Sequence, residues 1–445
     1  MNVLGGNNLR FINIMRESIM KRVGMFVWNH FTNDARVLRE CTTLSQNGYD
    51  VELICIHDPD DPTLERYEEV NEHFRVYRLK RDPIIFSILL KTYQLTVTKK
   101  WLLIPLLFVL GAICYVSPWI FLSLLIVTGS LFISKIRVPI TYSTLILKMI
   151  IKGYIGNYDI YHSNDLNTLP QGYITSKWRL KKRPLIYDSH EVQTSRTGYD
   201  SPWFKRIEGF LIKKVDSMMV ENHTRANYNE RLYGFYPHVL HNYPSLEIQK
   251  VHETIDLHKI LGLPEKEKIL LYQGGIQPGR GLENLVEAFP LFKEGTLVFI
   301  GDGKIKGKLQ QMVKKRELED GIRFINKVPI KDLPKYTKNA YLGFQVLNNV
   351  CFNHWSASSN KLFEYMMNEV PIVACNFPEI KRAVEDSEVG VTIDPHDPAE
   401  IARGVNYLLD NPDKRDYFSN NCKKARKKYN WEIEQKNLLE VYRDY

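Results

Sequence analysis

The chain has 445 residues, 60 Lys and Arg against 51 Asp and Glu for a net charge of +9, and a hydrophobic content of 44%. That length supports two domains with full cores, and the basic balance suits an anionic membrane surface or phosphate-bearing ligands. Zinc-finger, basic-zipper and RNA-recognition signatures are absent, which sets nucleic acid aside, and the six cysteines are scattered without a CxxC pair, as in reduced cytosolic cores.

Residues 1–20 read as an N-terminal extension without a long apolar core. A strand at Val23–Val27, a helix at Asp34–Gln46 closed by Asn47-Gly48 and a strand at Val51–Ile56 form a first βα unit. The pattern then breaks: Trp101 to Ser134, 34 residues, carries no charged side chain. One upright crossing needs ~20 apolar residues, so the run is long for one span and short for two across ~30 Å of hydrocarbon. Both flanks are basic, with Lys91, Lys99 and Lys100 before and Lys135, Arg137, Lys148 and Lys152 after, which places both ends on the cytoplasmic side. A hydrophobic helical hairpin turning near Ser117-Pro118 satisfies both constraints, because proline cannot continue a hydrogen-bonded helix. Ile84–Leu95 and Val138–Ile155 are apolar with isolated lysines, as in helices lying at a bilayer interface with snorkelling cations, so a membrane-facing insertion is expected over 83–155. The competing reading is a helix pair buried in a large core, although the run lacks the polar stripe such helices carry.

Beyond the insertion, apolar strands alternate with helices: Asp159–His162, Pro184–Tyr187, a helix near Ile207–Lys214, and Ser217–Val220. After a linker near 243–265 a second series runs through Ile269–Tyr272, Thr296–Ile300, Ile322–Phe324, Leu342–Val346 and Pro371–Ala374. The fold class is α/β, two doubly wound Rossmann-like domains at 21–245 and 246–428 followed by a terminal segment 429–445. Ligands bind such sheets at the carboxyl ends of strands, and four post-strand segments carry the candidates.

Gly274 and Gly275, with Arg280 close behind, follow one strand; glycine lets a backbone approach a ligand and arginine pairs with phosphate oxygens, while a turn with a solvated arginine has the same look. Gly301-Asp302-Gly303 follows the next strand and alone is a turn. Ser358-Ser359-Asn360-Lys361 opens a helix whose free N–H groups and positive dipole end suit a diphosphate, with simple N-capping as the alternative. Glu364 is placed either to accept from ribose hydroxyls or to sit favourably at a helix start. Asp188-Ser189-His190-Glu191 puts a histidine at a strand tip, where it donates to a sugar hydroxyl or serves the structure.

Asn33-Asp34-Ala35-Arg36 with Gly48-Tyr49-Asp50-Val51, Tyr161-His162-Ser163-Asn164-Asp165, Asp188-Ser189-His190-Glu191, Asn360-Lys361-Leu362-Phe363-Glu364-Tyr365-Met366, Pro371-Ile372-Val373-Ala374 and Tyr429-Asn430-Trp431-Glu432 follow one another in an order that resembles the family 4 glycosyltransferases of the GT-B fold. The resemblance implies that 246–428 binds a nucleotide-diphosphate sugar, that 21–245 receives the acceptor, and that 429–445 forms a helix packing back on the N-terminal domain. It implies sugar transfer with retention, without a metal or other cofactor. It makes His190, Arg280 and Lys361 the catalytic candidates. Gly274, Gly275, Gly301, Ser358, Ser359, Asn360 and Glu364 fall on the donor side, and Asn33, Arg36 and Asp165 on the acceptor side. Ser356 stands where the first of the family's paired glutamates falls, and Gly275 where many relatives have a phosphate-binding arginine. Arg280 matches the family's lysine, and Lys361 is left to compensate. Glu369 replaces a common glycine. Asp58-Pro59-Asp60 has the spacing of the metal-binding DxD of the other glycosyltransferase fold, but its Pro-rich surroundings favour a plain loop.

Cleaving the sugar–phosphate bond leaves a nucleotide diphosphate, so catalysis depends on stabilising charge on the leaving group. No nucleophilic carboxylate is evident, which favours attack from the leaving-group face. With the insertion, the expected acceptor is a lipid-linked saccharide or nascent cell-surface glycan at the cytoplasmic face of the cell membrane, with residues 101–134 as the anchor in membrane lipid. The alternatives are a nucleotide-sugar 2-epimerase and a noncatalytic nucleotide-sugar-binding scaffold of a polysaccharide assembly complex.

Overall fold

The computed structural model describes residues 20–32, 34–61, 63–130, 132–193, 202–246 and 254–445. Asn33, almost all of the N-terminal extension and part of the 243–265 linker lie outside the described residues. In chain order the elements are β1 (Lys21–Phe26), α1 (Ala35–Gln46), β2 (Tyr49–Ile56), β3 (Tyr67–Asn71), β4 (Phe74–Leu79), α2 (Ile84–Thr98), α3 (Leu103–Val116), α4 (Pro118–Ser130), α5 (Ser134–Gly156), β5 (Ile160–Asn164), α6 (Leu169–Lys177) and β6 (Leu185–Ser189). There follow α7 (Pro202–Leu211), β7 (Ser217–Val220), α8 (His223–Tyr233), β8 (His238–Val239), α9 (Leu257–Leu261), β9 (Ile269–Gln273), α10 (Leu282–Ala288), β10 (Thr296–Ile300), α11 (Lys306–Lys315), β11 (Ile322–Ile325), α12 (Leu333–Thr337), β12 (Leu342–Gln345), α13 (Phe352–Trp355), α14 (Asn360–Met367), β13 (Ile372–Cys375), α15 (Pro378–Ser387), β14 (Gly390–Ile393), α16 (Pro398–Asp410), α17 (Pro412–Ala425) and α18 (Trp431–Arg443). By internal packing the chain divides into two compact units, Met1–Asp188 with Lys213–Asp216, and Ser189–Ile212 with Ser217–Tyr445. The division runs through the end of β6, upstream of the 245/246 junction drawn from the linker, so β7 and β8 pack with the second unit.

The first unit orders its strands β3-β4-β2-β1-β5-β6, all parallel except the antiparallel edge pair β3–β4. Helix α1 begins where the Asp34 carboxylate accepts from Val37 N at 3.1 Å. Its spacing of Val37, Cys41 and Leu44 puts one apolar stripe on the sheet, and all three are fully buried.

Helix α5 is the described helix long and apolar enough by composition to cross a membrane, at 23 residues. One face of its carboxyl-terminal half packs on the domain. Thr141, Leu145, Met149 and Gly153, four apart, form a buried stripe against α6 and strands β1, β2 and β4. Lys148 Nζ donates to the carbonyls of Lys80 (2.8 Å) and Asp82 (2.7 Å), and Lys152 pairs with Glu52. These lysines tie one face of α5 to the domain, while Leu147, Ile151 and Ile155 on the same half stay exposed.

Helices α2, α3 and α4 form an apolar excursion. It leaves and returns at one place: the rings of Phe86 and Phe132 are 6.0 Å apart, and the Arg137 guanidinium lies 5.6 Å from the Phe86 ring. Helices α3 and α4 break at Ser117, whose backbone is extended at φ −152°, ψ 94°, directly before Pro118. They contact each other but bury no residue; Ile104 is 74% exposed, Phe108 78% and Trp119 79%. At 14 and 13 residues they are each about 20 Å long.

The second unit carries a six-stranded parallel sheet, β11-β10-β9-β12-β13-β14. Along β9, Ile269 and Leu271 enter one core and Leu270 and Tyr272 the other, the signature of a strand covered on both faces. The strand order reverses between β9 and β12, and it is at such a switch point that open α/β sheets hold ligands. Helix α18, capped by Asn430 on Ile433 N at 3.0 Å, docks on the segment after β8: Trp431 N donates to Pro244 O, and Glu434 accepts from His241 N at 2.8 Å.

Candidate active site

At the switch point β9 ends in Tyr272 and Gln273, and the next residues depend on two glycines. Gly274 N continues the pairing by donating to Ile300 O at 2.9 Å. A Cβ on Gly301, at φ +152°, would stand 2.0 Å from Gly274 O, so only glycine lets the tips of β9 and β10 touch. Ile276 N then donates to Asp302 O at 3.0 Å, and the loop is laced down.

Helix α14 supplies the charge. Lys361 and Glu364, three apart, share a face. The Lys361 ammonium is buried, donates to the Tyr272 hydroxyl at 3.2 Å and lies 4.4 Å from the centre of that ring. Tyr272 in turn donates to Gly275 O at 3.0 Å. Burial first, and the nearby positive charge of Arg280 second, push the Lys361 amine down to about 7. A buried cation whose hydrogen-bond partner is a phenol is costly unless an anion comes to it. Arg280 is half-buried on the loop that opens α10. Glu364 accepts from Gln273 Nε2 at 2.8 Å, and the far end of that amide accepts from Thr337 Oγ1 at 2.7 Å, so the carboxylate is aimed from the strand. Ser359 occupies the N-cap of α14, yet its side chain makes no capping bond; the capping alternative thus leaves its hydroxyl unused. Ser358 is buried beside it, and Asn360 starts the helix.

His190 follows β6 in the second unit. Arg225, 4% exposed, ties its turn to the segment leading into α14: the guanidinium donates to His190 O, to Ser356 Oγ at 3.2 Å and to Asn353 O at 3.3 Å. The Asn353 side chain clasps Val192 N (2.8 Å) and O (3.1 Å), and Asn222 Nδ2 donates to Ser356 O at 2.8 Å. Sequence reasoning does not single out Arg225, Asn222 or Asn353; the sole cue is the Asn-x-x-Arg opening of α8. Ser356, in the position expected of a sugar-binding glutamate, is fully buried and serves this clasp.

In the first unit the acceptor-side candidates fare differently. Arg36 is turned inward: Nε and Nη2 donate to both oxygens of Asp188 at 2.9 and 2.8 Å, and Nε lies 3.0 Å from Glu40. Buried together with both carboxylates, it ties α1 to β6. Asp165 follows β5 in a left-handed conformation, φ +62°, with its N–H on Asp188 O at 2.8 Å. Glu40, His162 and Asp188 bring possible metal-ligand atoms within 4.8 Å of one another, but the guanidinium bound to both carboxylates already supplies the positive charge that an ion would bring. Asp58 accepts from Asp60 N at 3.0 Å in an exposed turn, the plain loop its prolines favour.

Residues 253–425 match the family model of the glycosyl transferases group 1. A D-inositol 3-phosphate glycosyltransferase of Thermomonospora curvata is 29% identical over 195 residues, 41% of this chain and 44% of that protein; the chain thus matches less than half the length of that relative. An uncharacterized glycosyltransferase of Methanocaldococcus jannaschii is 25% identical over 62% of this chain and 72% of its own. Among solved structures, a sucrose-phosphate synthase of Thermosynechococcus elongatus superposes with a TM-score of 0.69 at 16% identity, over 95% of this chain and 98% of that one. HepE of Anabaena, solved with UDP-glucose, gives 0.67 at 14% identity, over 96% and 100%. Both are likenesses of fold.

Proposed function

We propose that this glycosyltransferase, a two-domain GT-B protein with a group 1 domain at 253–425, is a membrane-associated, retaining and metal-independent enzyme of family 4. It moves a sugar from a nucleotide-diphosphate donor to a lipid-linked or nascent cell-surface glycan on the cytoplasmic side of the membrane. The observation that carries the reading is Lys361: a buried amine held near 7 by burial and by Arg280, at the switch point where such sheets bind ligands. A diphosphate satisfies both cations at once and restores full charge to the amine. As the sugar–phosphate bond breaks, negative charge grows on that diphosphate, so the same pair stabilises the leaving group. Glu364, aimed by Gln273, accepts from ribose hydroxyls, and the His190 turn, clasped to the approach of α14 through Arg225, contributes on the sugar side. The UDP and UDP-glucose complexes of HepE support a nucleotide-sugar donor. The exposed apolar faces of α3 and α4 support the membrane, since patches of that extent on a soluble surface mark a contact.

The test is a screen of nucleotide sugars with purified protein and extracted membrane lipid, following sugar transfer and nucleotide release. Arg280→Ala should lower turnover by roughly a hundredfold to a thousandfold and donor affinity by less. A scaffold would lose affinity alone and release no nucleotide from any donor; an epimerase would form product without lipid.

A further inference from the structure

At the carboxyl ends of β1 and β2 the first unit holds a cavity of about 260 Å³, lined by Trp28, His30, Ile56, Arg81, Tyr142 and Leu145 among others. Ligand clefts run from roughly 300 Å³ upward, so this one is sized for a head group and not for a chain. Its walls come from four places in the sequence. The end of β1 brings Trp28 and His30, β2 ends at Ile56, the turn after β4 brings Arg81, and α5 brings Tyr142 and Leu145. The rings of Trp28 and Tyr142 stack at 5.9 Å and 20°, and the Arg81 guanidinium lies 5.6 Å from the Tyr142 ring. His30 Nδ1 is pinned 3.2 Å from Ile56 O. The two bonds from Lys148 to the Lys80 and Asp82 carbonyls fix the Arg81 turn on α5.

Cations outnumber anions around this wall. His57, next to Ile56, is held below its ordinary value by burial and then by Lys80, Arg66 and Arg78. Lys148 is likewise lowered by burial, with Arg66 and Lys80 opposing Asp82. Of the carboxylates nearby, Glu68 is bound to Arg78 at 2.7 Å, Asp82 faces Lys148, and Asp34 accepts from the lining Asn29 at 2.7 Å. The cavity also lies at the root of the apolar excursion: α2 starts three residues after Arg81, and the chain returns to Phe86 at Phe132.

We propose that this cavity receives the acceptor's head group, a sugar stacked against Trp28 and Tyr142 whose diphosphate link to a lipid chain is gripped by Arg81. The inference rests on the transferase reading above and specifies its acceptor. Sugar rings present apolar faces to aromatic side chains, guanidinium pairs with phosphate oxygens in a fixed fork, and the apolar helices that leave from the same spot meet the lipid chain.

The test uses full-length protein in detergent micelles and three probes: farnesyl-diphosphate-linked N-acetylglucosamine, inorganic pyrophosphate, and phosphatidylglycerol vesicles. Arg81 is exposed and Tyr142 is half-exposed, so Arg81→Gln and Tyr142→Ala should fold. Each should weaken the lipid-linked sugar by about tenfold or more, with UDP affinity and flotation on vesicles unchanged, and Tyr142→Ala should leave pyrophosphate binding alone. Loss of flotation in Arg81→Gln with unchanged affinity for the lipid-linked sugar would make this a membrane-lipid contact and overturn the proposal. Pyrophosphate binding as tight as the lipid-linked sugar would reduce it to a free phosphate site and overturn the proposal equally. If transfer proceeds undiminished in both variants at limiting acceptor, the cavity is wrong and the transferase reading stands. If the variants lose the probe but no donor is ever turned over, the cavity stands and the transferase reading falls.

Discussion

Within the second unit, the Lys361 ammonium rests 3.2 Å from the Tyr272 hydroxyl and 4.4 Å from the centre of its ring. The amine is held at about 7 against an ordinary 10.5, so between those values the native state binds fewer protons than the unfolded chain and stability rises with pH. The penalty of the desolvated charge is fully present below about 7 and gone above the ordinary value.

Lys361→Met should therefore raise the melting temperature more in mildly acidic than in alkaline buffer, while weakening nucleoside-diphosphate binding by about tenfold or more. In wild type, bound diphosphate should raise the amine's pKa, so binding takes up protons just above neutrality. Calorimetry in two buffers of different ionisation enthalpy measures that uptake, and it should vanish in Lys361→Met.

Glu364→Gln tests the ribose contact. The new amide oxygen still accepts from Gln273 Nε2, so the 2.8 Å tether and the helix survive. Donor affinity should fall by ~1.5–3 kcal/mol, tenfold or more, because a charged acceptor is lost. Unchanged affinity for UDP would leave Glu364 a tether only.

Two glycines one loop apart should respond oppositely. Gly301→Ala places a Cβ on Gly274 O in a backbone region closed to L residues, and should cost about 2–4 kcal/mol with loss of donor binding. Gly275 has only Gln277 Cγ near its Cβ direction, at 3.5 Å, so Gly275→Arg should fold normally and tighten UDP by several-fold. Thermal melts and calorimetry separate the two.

Because Phe86 and Phe132 meet, replacing residues 88–131 by a short Gly/Ser linker should leave the first unit folded, free the protein from the membrane pellet and spare UDP binding. Folded protein that still pellets at high salt would refute anchoring by α3 and α4; residual attachment through basic side chains should wash off.

The alternation of apolar strands, the glycines after β9 and β10, the helix opened by Ser359 and the break at Ser117-Pro118 are all legible in the chain, because each answers a local backbone demand. Residues close in sequence state such demands for themselves. The packing of α5 is not legible: an apolar helix with spaced lysines has one composition whether or not a stripe of it meets a sheet, and only the fold sets Leu145 and Met149 in the stripe that packs on β1, β2 and β4. Nothing near Arg36 in the chain shows that Asp188, 152 residues away, claims both arms of its guanidinium. Arg225 shows no sign of joining the His190 turn to Ser356. Long-range charge pairing and burial depend on which distant segments the fold brings together, and that is set by the summed packing of the whole domain, not by any window of sequence.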